Sequence, residues 1–214
     1  KPSTHIHTLS SPTTFAVKPT NFKGLVPKLK VKQGDEVKAG DCLFSDKKND
    51  KICFTSPVSG EVIEIVRGNR RAIIEVKILA DSQISYKTFD TTNFASKSPD
   101  DIKAILLESG LWPFFVQRPF GTLADPTISP KSIHVSGFDS SPLAPDLGVS
   151  LRGQELFIET GFKILDALCE GNVHLNLNPK KDNTVFKNIT NTTVNHFQGP
   201  HPSGLVGVQI NKVD

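Results

Sequence analysis

Residues 31–44 read VKQGDEVKAGDCLF, and this stretch decides how the first half of the chain is built. It holds two Gly-Asp pairs, Gly34-Asp35 and Gly40-Asp41, six residues apart. Glycine enters positive φ at no steric cost, and aspartate bonds back to its own backbone in a turn. Each pair therefore reads as a tight turn. Between them Val37 is the one large apolar residue, so the segment is a very short strand with one face buried. Working outward, Ile52-Cys53-Phe54 enters another strand, and Ser56-Pro57 and Ser59-Gly60 bound a further turn. Val62, Ile63, Ile65 and Val66 follow, and after Arg67-Gly68-Asn69-Arg70 an apolar run extends from Ala72 to Ile78. Short strands separated by Gly/Asp turns indicate a small barrel or flattened sandwich.

The period then changes. A polar linker, Thr91-Thr-Asn-Phe-Ala-Ser-Lys-Ser98, leads to Pro99-Asp100-Asp101. Ser98 suits a helix N-cap, Pro99 the first helical position, and the two aspartates the positive end of the helix dipole. Ile102, Ile105 and Leu106 form the helical face, and Gly110 is the stop. A second helix is expected from about residue 154 to residue 170, with a stripe of Ile158, Phe162, Leu165, Leu168 and Cys169. Strands are expected at residues 133–136, 173–177 and 193–197. Strand, helix and strand at this spacing form a βαβ unit, so part of this sheet is parallel. Ligands in such sheets sit beyond the carboxyl ends of the strands. Two loops occupy that position, residues 137–146 and 198–204. The organisation read from the chain is an arm over 1–14, a β module over 15–90, a linker over 91–99 and an α/β domain over 100–214.

Composition excludes several function classes. Of the 214 residues, 37% are apolar and 22% charged, and the chain has room for a real core. No apolar run approaches the roughly 20 residues of a membrane helix, and the opening residues are not a signal peptide. The net charge of +3, from 25 basic and 22 acidic residues, is too mild for a nucleic-acid partner. The basic residues are scattered, apart from Arg67, Arg70 and Arg71. The cysteines Cys42, Cys53 and Cys169 form no CxxC and supply no metal-ligand set. They are expected to be reduced core residues, which fits a reducing compartment. The chain has no Met, and it stops just after the apolar stretch at 206–210. The expectation is that its natural start and its C-terminal portion are missing.

The stretch GDEVKAGDCLFSDKK, followed by SPVSGEV, resembles the pattern of biotinyl- and lipoyl-carrier domains. In carriers a lysine at a hairpin tip is acylated, and Lys47 stands at about that position. The same Asp46-Lys-Lys-Asn-Asp-Lys51 segment also reads as a solvated charged turn. Three further stretches widen the resemblance: LLESGLWPFFVQRPF (106–120), FDSSPLAPD (138–146) and FQGPHPSGLVG (197–207). Together these segments resemble the A-subunit family of the bacterial sodium-translocating NADH:quinone oxidoreductases, over roughly residues 15 to 210. The resemblance implies an α+β/α/β two-domain fold, a barrel-sandwich hybrid module followed by a Rossmann-like α/β domain. It implies a peripheral subunit on the cytoplasmic face of the bacterial inner membrane, associated with quinone binding and partnered by the other subunits of the complex. NADH oxidation, flavins and the sodium path belong, by the same resemblance, to those other subunits.

Two relatives share the module order: the C-subunit of the related electron-transport sodium pump and the flavin subunit of respiratory complex I. In them a Gly-rich loop after the barrel-like module holds a phosphate, which needs backbone N–H groups at close approach. Here that stretch is SGLWPFF (109–115), in which Trp112, Phe114 and Phe115 supply bulk and Pro113 lacks an N–H. No GxGxxG occurs in the chain. No flavin and no NADH are therefore expected on this polypeptide, and no cofactor or metal of its own.

The aromatic cluster Trp112, Phe114, Phe115 and Phe120 reads as core packing, and also as a surface that suits a planar quinone ring. Arg118 is the nearest cation, expected in an ion pair and able to bond a quinone carbonyl. His201 is the best polar candidate. It lies beyond a strand end, just before Ser203 and Gly204, where a helix start offers free N–H groups. His196 and His201 form a poor metal set, and Asp139 and Asp146 read as turn residues. No nucleophile–base spacing forms a triad. Three other functions stay open at this point. One is a carrier or transport-adaptor module resting on GDEVKAGDCLFSDKK, with Lys47 at its tip, another is the C-subunit of the related electron-transport sodium pump, and the third is a stand-alone α/β enzyme using the His201 loop.

Overall fold

The two Gly-Asp turns are one turn built twice. Lys32 N–H donates to Asp35 Oδ2 at 2.9 Å, and Lys38 N–H donates to Asp41 Oδ2 at 2.7 Å. Gly34 and Gly40 both take positive φ, 88° and 99°. Each turn clasps one residue of the returning chain. Gly34 N–H donates to Val62 O and Val62 N–H to Asp35 O, both at 2.9 Å. Gly40 N–H donates to Ser56 O and Ser56 N–H to Asp41 O, both at 2.8 Å. The clasped residues, like the turns, are six apart.

This computed structural model describes residues 6–92 and 96–213. Residues 1–5 of the expected arm, 93–95 of the expected linker and Asp214 lie outside the described residues. Contacts divide the described residues into two compact units, one within 7–126 and the other of 127–213 together with Ile6.

In the first unit the strands are β1 (Thr14–Val17), β2 (Pro27–Leu29), β3 (Glu36–Val37), β4 (Cys42–Asp46), β5 (Asn49–Thr55), β6 (Gly60–Arg67) and β7 (Ile73–Ala80). They form two antiparallel sheets, ordered β1-β7-β6-β3 and β2-β4-β5. The spacing of the turns now has its reason. The first turn delivers two residues to one sheet, and the second carries the chain into the other. Leu43, Phe44, Val62, Val76 and Ile78 fill the space between and are fully buried. The Phe44 and Phe54 rings stack at 5.0 Å, and Phe22 meets Phe54 edge-on at 4.6 Å. The buried Ser59 hydroxyl donates to Asp81 Oδ2 at 2.7 Å and accepts Ser85 N–H at 2.9 Å. The cysteine expectation holds in part: all three are free and partly buried, and Cys169 packs against the core of the other unit, but Cys53, which alternates with buried Ile52 and Phe54, faces away from this core, with Cys42 beside it.

Helix α1 (Pro99–Glu108) begins as its residues require. The Ser98 hydroxyl accepts from Asp101 N–H, and the Asp101 side chain reaches back to Ser98 N–H in a capping box. It ends at Gly110, with φ +76°, where a Cβ would lie 2.3 Å from Thr55 Oγ1 of β5. A short hairpin of β8 (Val116–Gln117) and β9 (Thr122–Leu123) follows.

In the second unit β10 (Ser132–Ser136), β11 (Asn172–Leu177) and β12 (Thr193–His196) lie parallel in that order. The helices are α2 (Leu147–Ser150), α3 (Glu155–Leu168) and α4 (Val206–Val213). The expected 154–170 helix is thus shorter, and Cys169 is its C-cap rather than part of its face. Phe162, with Ile158 and Leu165 beside it, packs on Val173, Leu175 and Leu177, and Val185 and Phe186 complete this core.

Gly60 is the turn-forming position least open to change. Its φ is +146°, and a Cβ there would sit 1.9 Å from the Leu79 carbonyl oxygen, backbone that cannot step aside. Gly34 also has positive φ, but open space around it. Gly60→Ala is expected to cost about 3 kcal/mol or more of unfolding free energy in urea titration, and Gly34→Ala about 1–2 kcal/mol. Equal losses would contradict the role given to packing at Gly60.

Candidate functional site

Strand β11 alternates. Val173, Leu175 and Leu177 face the apolar core, while His174 and Asn176, both buried, face the other way. Parallel sheets usually bury apolar side chains on both faces, so a polar inner face is unusual. In register beside these residues stand Ser136 on β10 and Asn195 on β12. Gln209 of α4 is fully buried over them.

Their side chains form one continuous network. Asn195 Nδ2 lies 3.2 Å from His174 Nδ1 and donates to Asn176 Oδ1 at 3.0 Å. Asn176 Nδ2 donates to Gln209 Oε1 at 3.1 Å. Gln209 Nε2 donates to Ser136 Oγ at 3.0 Å and to the Ser203 carbonyl at 3.1 Å. The His174 ring also stacks on His134, with centroids 4.4 Å apart and planes 7° from parallel.

The network ends at the two loops beyond the strand ends. Ser136 Oγ lies 2.8 Å from Phe138 O and 3.1 Å from Gly204 O. Ser140 Oγ accepts Gly204 N–H at 2.8 Å and lies 3.1 Å from His201 Nδ1. Ser203 Oγ donates to Gly199 O at 3.0 Å. Gly204 is required where it stands, because a Cβ would come within 2.4 Å of Ser140 N. His201, Ser203 and Gly204 are therefore brought together, and Ser140 joins them. Asp139 and Asp146 are turn residues as expected: Asp139 accepts Ser141 N–H at 2.7 Å, and Asp146 caps α2 through Gly148 N–H at 3.0 Å. The Ser141 backbone N–H holds the Asp139 carboxyl below its ordinary range, helped by the Ser141 side chain and by nearby His201. Beside these loops lies a shallow, open cleft of about 10 Å³, walled by Phe138, Asp139, Asp146, Lys181 and Asp182. Small-molecule pockets usually hold about 300–1,000 Å³, so these residues offer a rim rather than an enclosure.

The aromatic candidates belong to the other unit. Trp112 and Pro113 are buried in a tight turn of residues 112–114. Trp112 Nε1–H donates to Ala124 O at 2.8 Å, and its ring lies 5.2 Å from that of Phe115. Trp112 is thus a packing residue with its one donor satisfied. Phe114 and Phe120 are 74% and 71% exposed. Arg118 is also exposed, and the expected ion pair is not formed among the described residues. Lys47 does stand at a hairpin tip. Asp46 pairs with Asn49 across a two-residue turn, Lys47 is exposed, and its N–H donates to Val26 O at 2.8 Å. Among the described residues no group of three or more His, Cys, Asp or Glu side chains is placed to hold a metal ion, and no helix is long and apolar enough to cross a membrane.

Two family descriptions match in order along the chain. The NqrA N-terminal barrel-sandwich hybrid domain matches residues 1–81, and the NqrA second alpha/beta domain matches residues 97–214. The chain belongs to the NqrA family. Among its curated relatives is the A-subunit of the Na(+)-translocating NADH-quinone reductase of Glaesserella parasuis serovar 5, 34% identical over 217 residues, covering all of this chain and 48% of the relative. The protein of the same name from Actinobacillus pleuropneumoniae serotype 5b is 36% identical with the same coverage. That of Photorhabdus laumondii is 36% identical over 196 residues, covering 90% of this chain and 43% of the relative. The chain spans about half the length of the curated relatives it matches. The family and the fold, a barrel-sandwich hybrid followed by an α/β domain, are thus as the sequence motifs implied.

Ser140, Asn176, Asn195 and Gln209 belong to this network, and the motifs did not single them out. One signal was present: His174 and Asn176 alternate with apolar residues in a strand of a parallel sheet, where polar residues need a partner. Gln209 uses both donors and its acceptor inside the protein, so Gln209→Leu strands the Asn176 amide and the Ser203 carbonyl. The expected loss is about 2–3 kcal/mol of unfolding free energy. The double variant Asn176→Leu/Gln209→Leu is expected to recover part of it, as a double-mutant cycle would reveal. Strict additivity would mean the two amides do not support each other.

Proposed function

We propose that this chain acts within the A-subunit of a sodium-translocating NADH:quinone reductase, as a peripheral part on the cytoplasmic face of the membrane. In this reading it contributes quinone-binding surface and carries no flavin or NADH site of its own. The observation that carries the reading is the pair of family matches, in order, over 1–81 and 97–214. Support for the missing flavin comes from the turn at 112–114. A phosphate cradle needs open space and backbone N–H groups. Here Trp112 and Pro113 fill that position and are buried.

For quinone, the strand-end rim offers what the chemistry asks. A quinone head is planar and neutral, its carbonyl oxygens accept hydrogen bonds, and its reduction takes up protons. His201 places a ring N–H at that rim, held there by Ser140, and Phe138 lines the cleft beside it. Phe114, Phe115 and Arg118, with Trp112 beneath them, are a second candidate surface. The barrel-sandwich module is the least suited, since its interior is filled by its own side chains.

Photo-crosslinking with an azido-quinone, on this chain and on the full-length protein, tests the assignment. Labels are expected at residues 110–120 or 196–204. Labels confined to residues 15–88 would remove the quinone surface from the α/β half, and flavin absorbance in stoichiometric amount on the purified chain would contradict the other half of the proposal. One observation favours a second reading, a carrier module, because Lys47 occupies an exposed hairpin tip. Its intact mass after expression in a cell with lipoyl and biotin ligases is expected to be unmodified, and an adduct on Lys47 would revive that reading.

A further inference from the structure

The hydrogen bonds of one hydroxyl determine the state of the ring beside it. Ser140 Oγ accepts the backbone N–H of Gly204 at 2.8 Å and lies 3.1 Å from His201 Nδ1. A serine hydroxyl has one proton to give. If His201 carried its proton on Nδ1, two N–H groups would converge on Ser140 Oγ, and the hydroxyl proton would face no acceptor among the described residues and turn to solvent. If Nδ1 is bare, every group is matched: Gly204 N–H donates to Oγ, and Oγ–H donates to Nδ1.

We infer that Ser140 is a positioning residue that holds neutral His201 with Nδ1 as acceptor, so that Nε2–H is presented as a donor to a carbonyl oxygen at the strand-end rim. The ligand class that suits this donor is a neutral carbonyl compound such as a quinone, and that part rests on the function proposed above. A carboxylate suits it less, because the Asp139 carboxylate stands beside the ring and repels a second anion. The arrangement is built rather than accidental. Gly204 has no room for a Cβ against Ser140, so the loop backbone is seated directly on the serine. Gln209 holds the preceding carbonyl, that of Ser203, at 3.1 Å from below. The two loops thus meet through Ser140, and the ring of His201 turns about a point that is fixed from beneath.

The pairing also resembles a nucleophile and its base, which no spacing in the sequence suggested. Two features argue for positioning instead. The Gly204 N–H draws electron density from Oγ. The contact also uses Nδ1, and no side chain among the described residues is placed to orient Nε2 from behind, as a general base requires.

Nitrogen-15 NMR of histidine-labelled protein decides the matter. In long-range proton–nitrogen correlations recorded at alkaline pH, His201 of the wild-type chain is expected as a single tautomer protonated at Nε2. Ser140→Ala is expected to give a mixture of both tautomers, and Ser140→Thr to restore the single form. A wild-type ring protonated at Nδ1, or a tautomer ratio that Ser140→Ala leaves unchanged, would overturn the inference. Addition of a short-chain benzoquinone is expected to shift the His201 Nε2 resonance, with a Kd about tenfold weaker in Ser140→Ala, the equivalent of about 1.4 kcal/mol. The expected tautomer without any quinone shift would keep the positioning role and remove the quinone ligand. Labelling of Ser140 by a fluorophosphonate would make the serine a nucleophile and overturn the positioning role.

Discussion

The fold of the first unit depends on a chain that must change sheets twice within a few residues. A backbone can do this only where φ may be positive and where the polar groups of the bend are satisfied locally. Gly34 and Gly40 supply the first condition, and the Asp35 and Asp41 carboxylates the second. The clasps on Val62 and Ser56 then tie each bend to the returning strand. These bonds set the register between the two sheets, and with it which side chains meet in the core. Val62 is clasped through its backbone and fully buried through its side chain. A slip of one residue would turn such side chains to solvent.

The second unit solves a different problem. Its sheet buries one face with hydrocarbon from α3, and the other with amides and hydroxyls under α4. Buried polar groups cost free energy unless paired, and here they are paired in sequence from His174 to Ser136. The benefit is directional. An apolar interface tolerates sliding, whereas Gln209 can satisfy Asn176, Ser136 and Ser203 together only at one position of α4. The strand-end loops inherit that precision, because Ser203 and Gly204 are the residues the network holds.

Much of this was legible in the residues. The Gly-Asp repeat, the capping box at Ser98 and the apolar stripe of α3 are local signals, and each acts through neighbours in sequence. His201, Ser203 and Gly204 were legible because they follow a strand. What the chain could not reveal depends on contacts between distant segments. Ser140 and His201 are separated by 61 positions, and Ser136 and Gln209 by 73. Trp112 and Phe114 show the same limit from the other side. Two aromatic residues two positions apart look alike in sequence, yet the turn at 112–114 buries the first and exposes the second.

The chemistry of the network divides its tasks. Amides neither gain nor lose protons near neutral pH, so Asn176, Asn195 and Gln209 can hold geometry but cannot pass a proton along. The groups whose protons can move are at the rim, His201 exposed and Ser140 partly so. On the function proposed above, a proton delivered to a ligand at the strand ends would therefore be supplied from solvent at the rim, not drawn through the sheet. His174, although it ends the same network, is separated from the rim by three amides and is not a source. Rigidity is thus placed inside and proton exchange outside. On the function proposed above, a rim that meets a neutral carbonyl ligand gains from both: the donor is held in one direction, and exchange with solvent leaves intact the network that aims it.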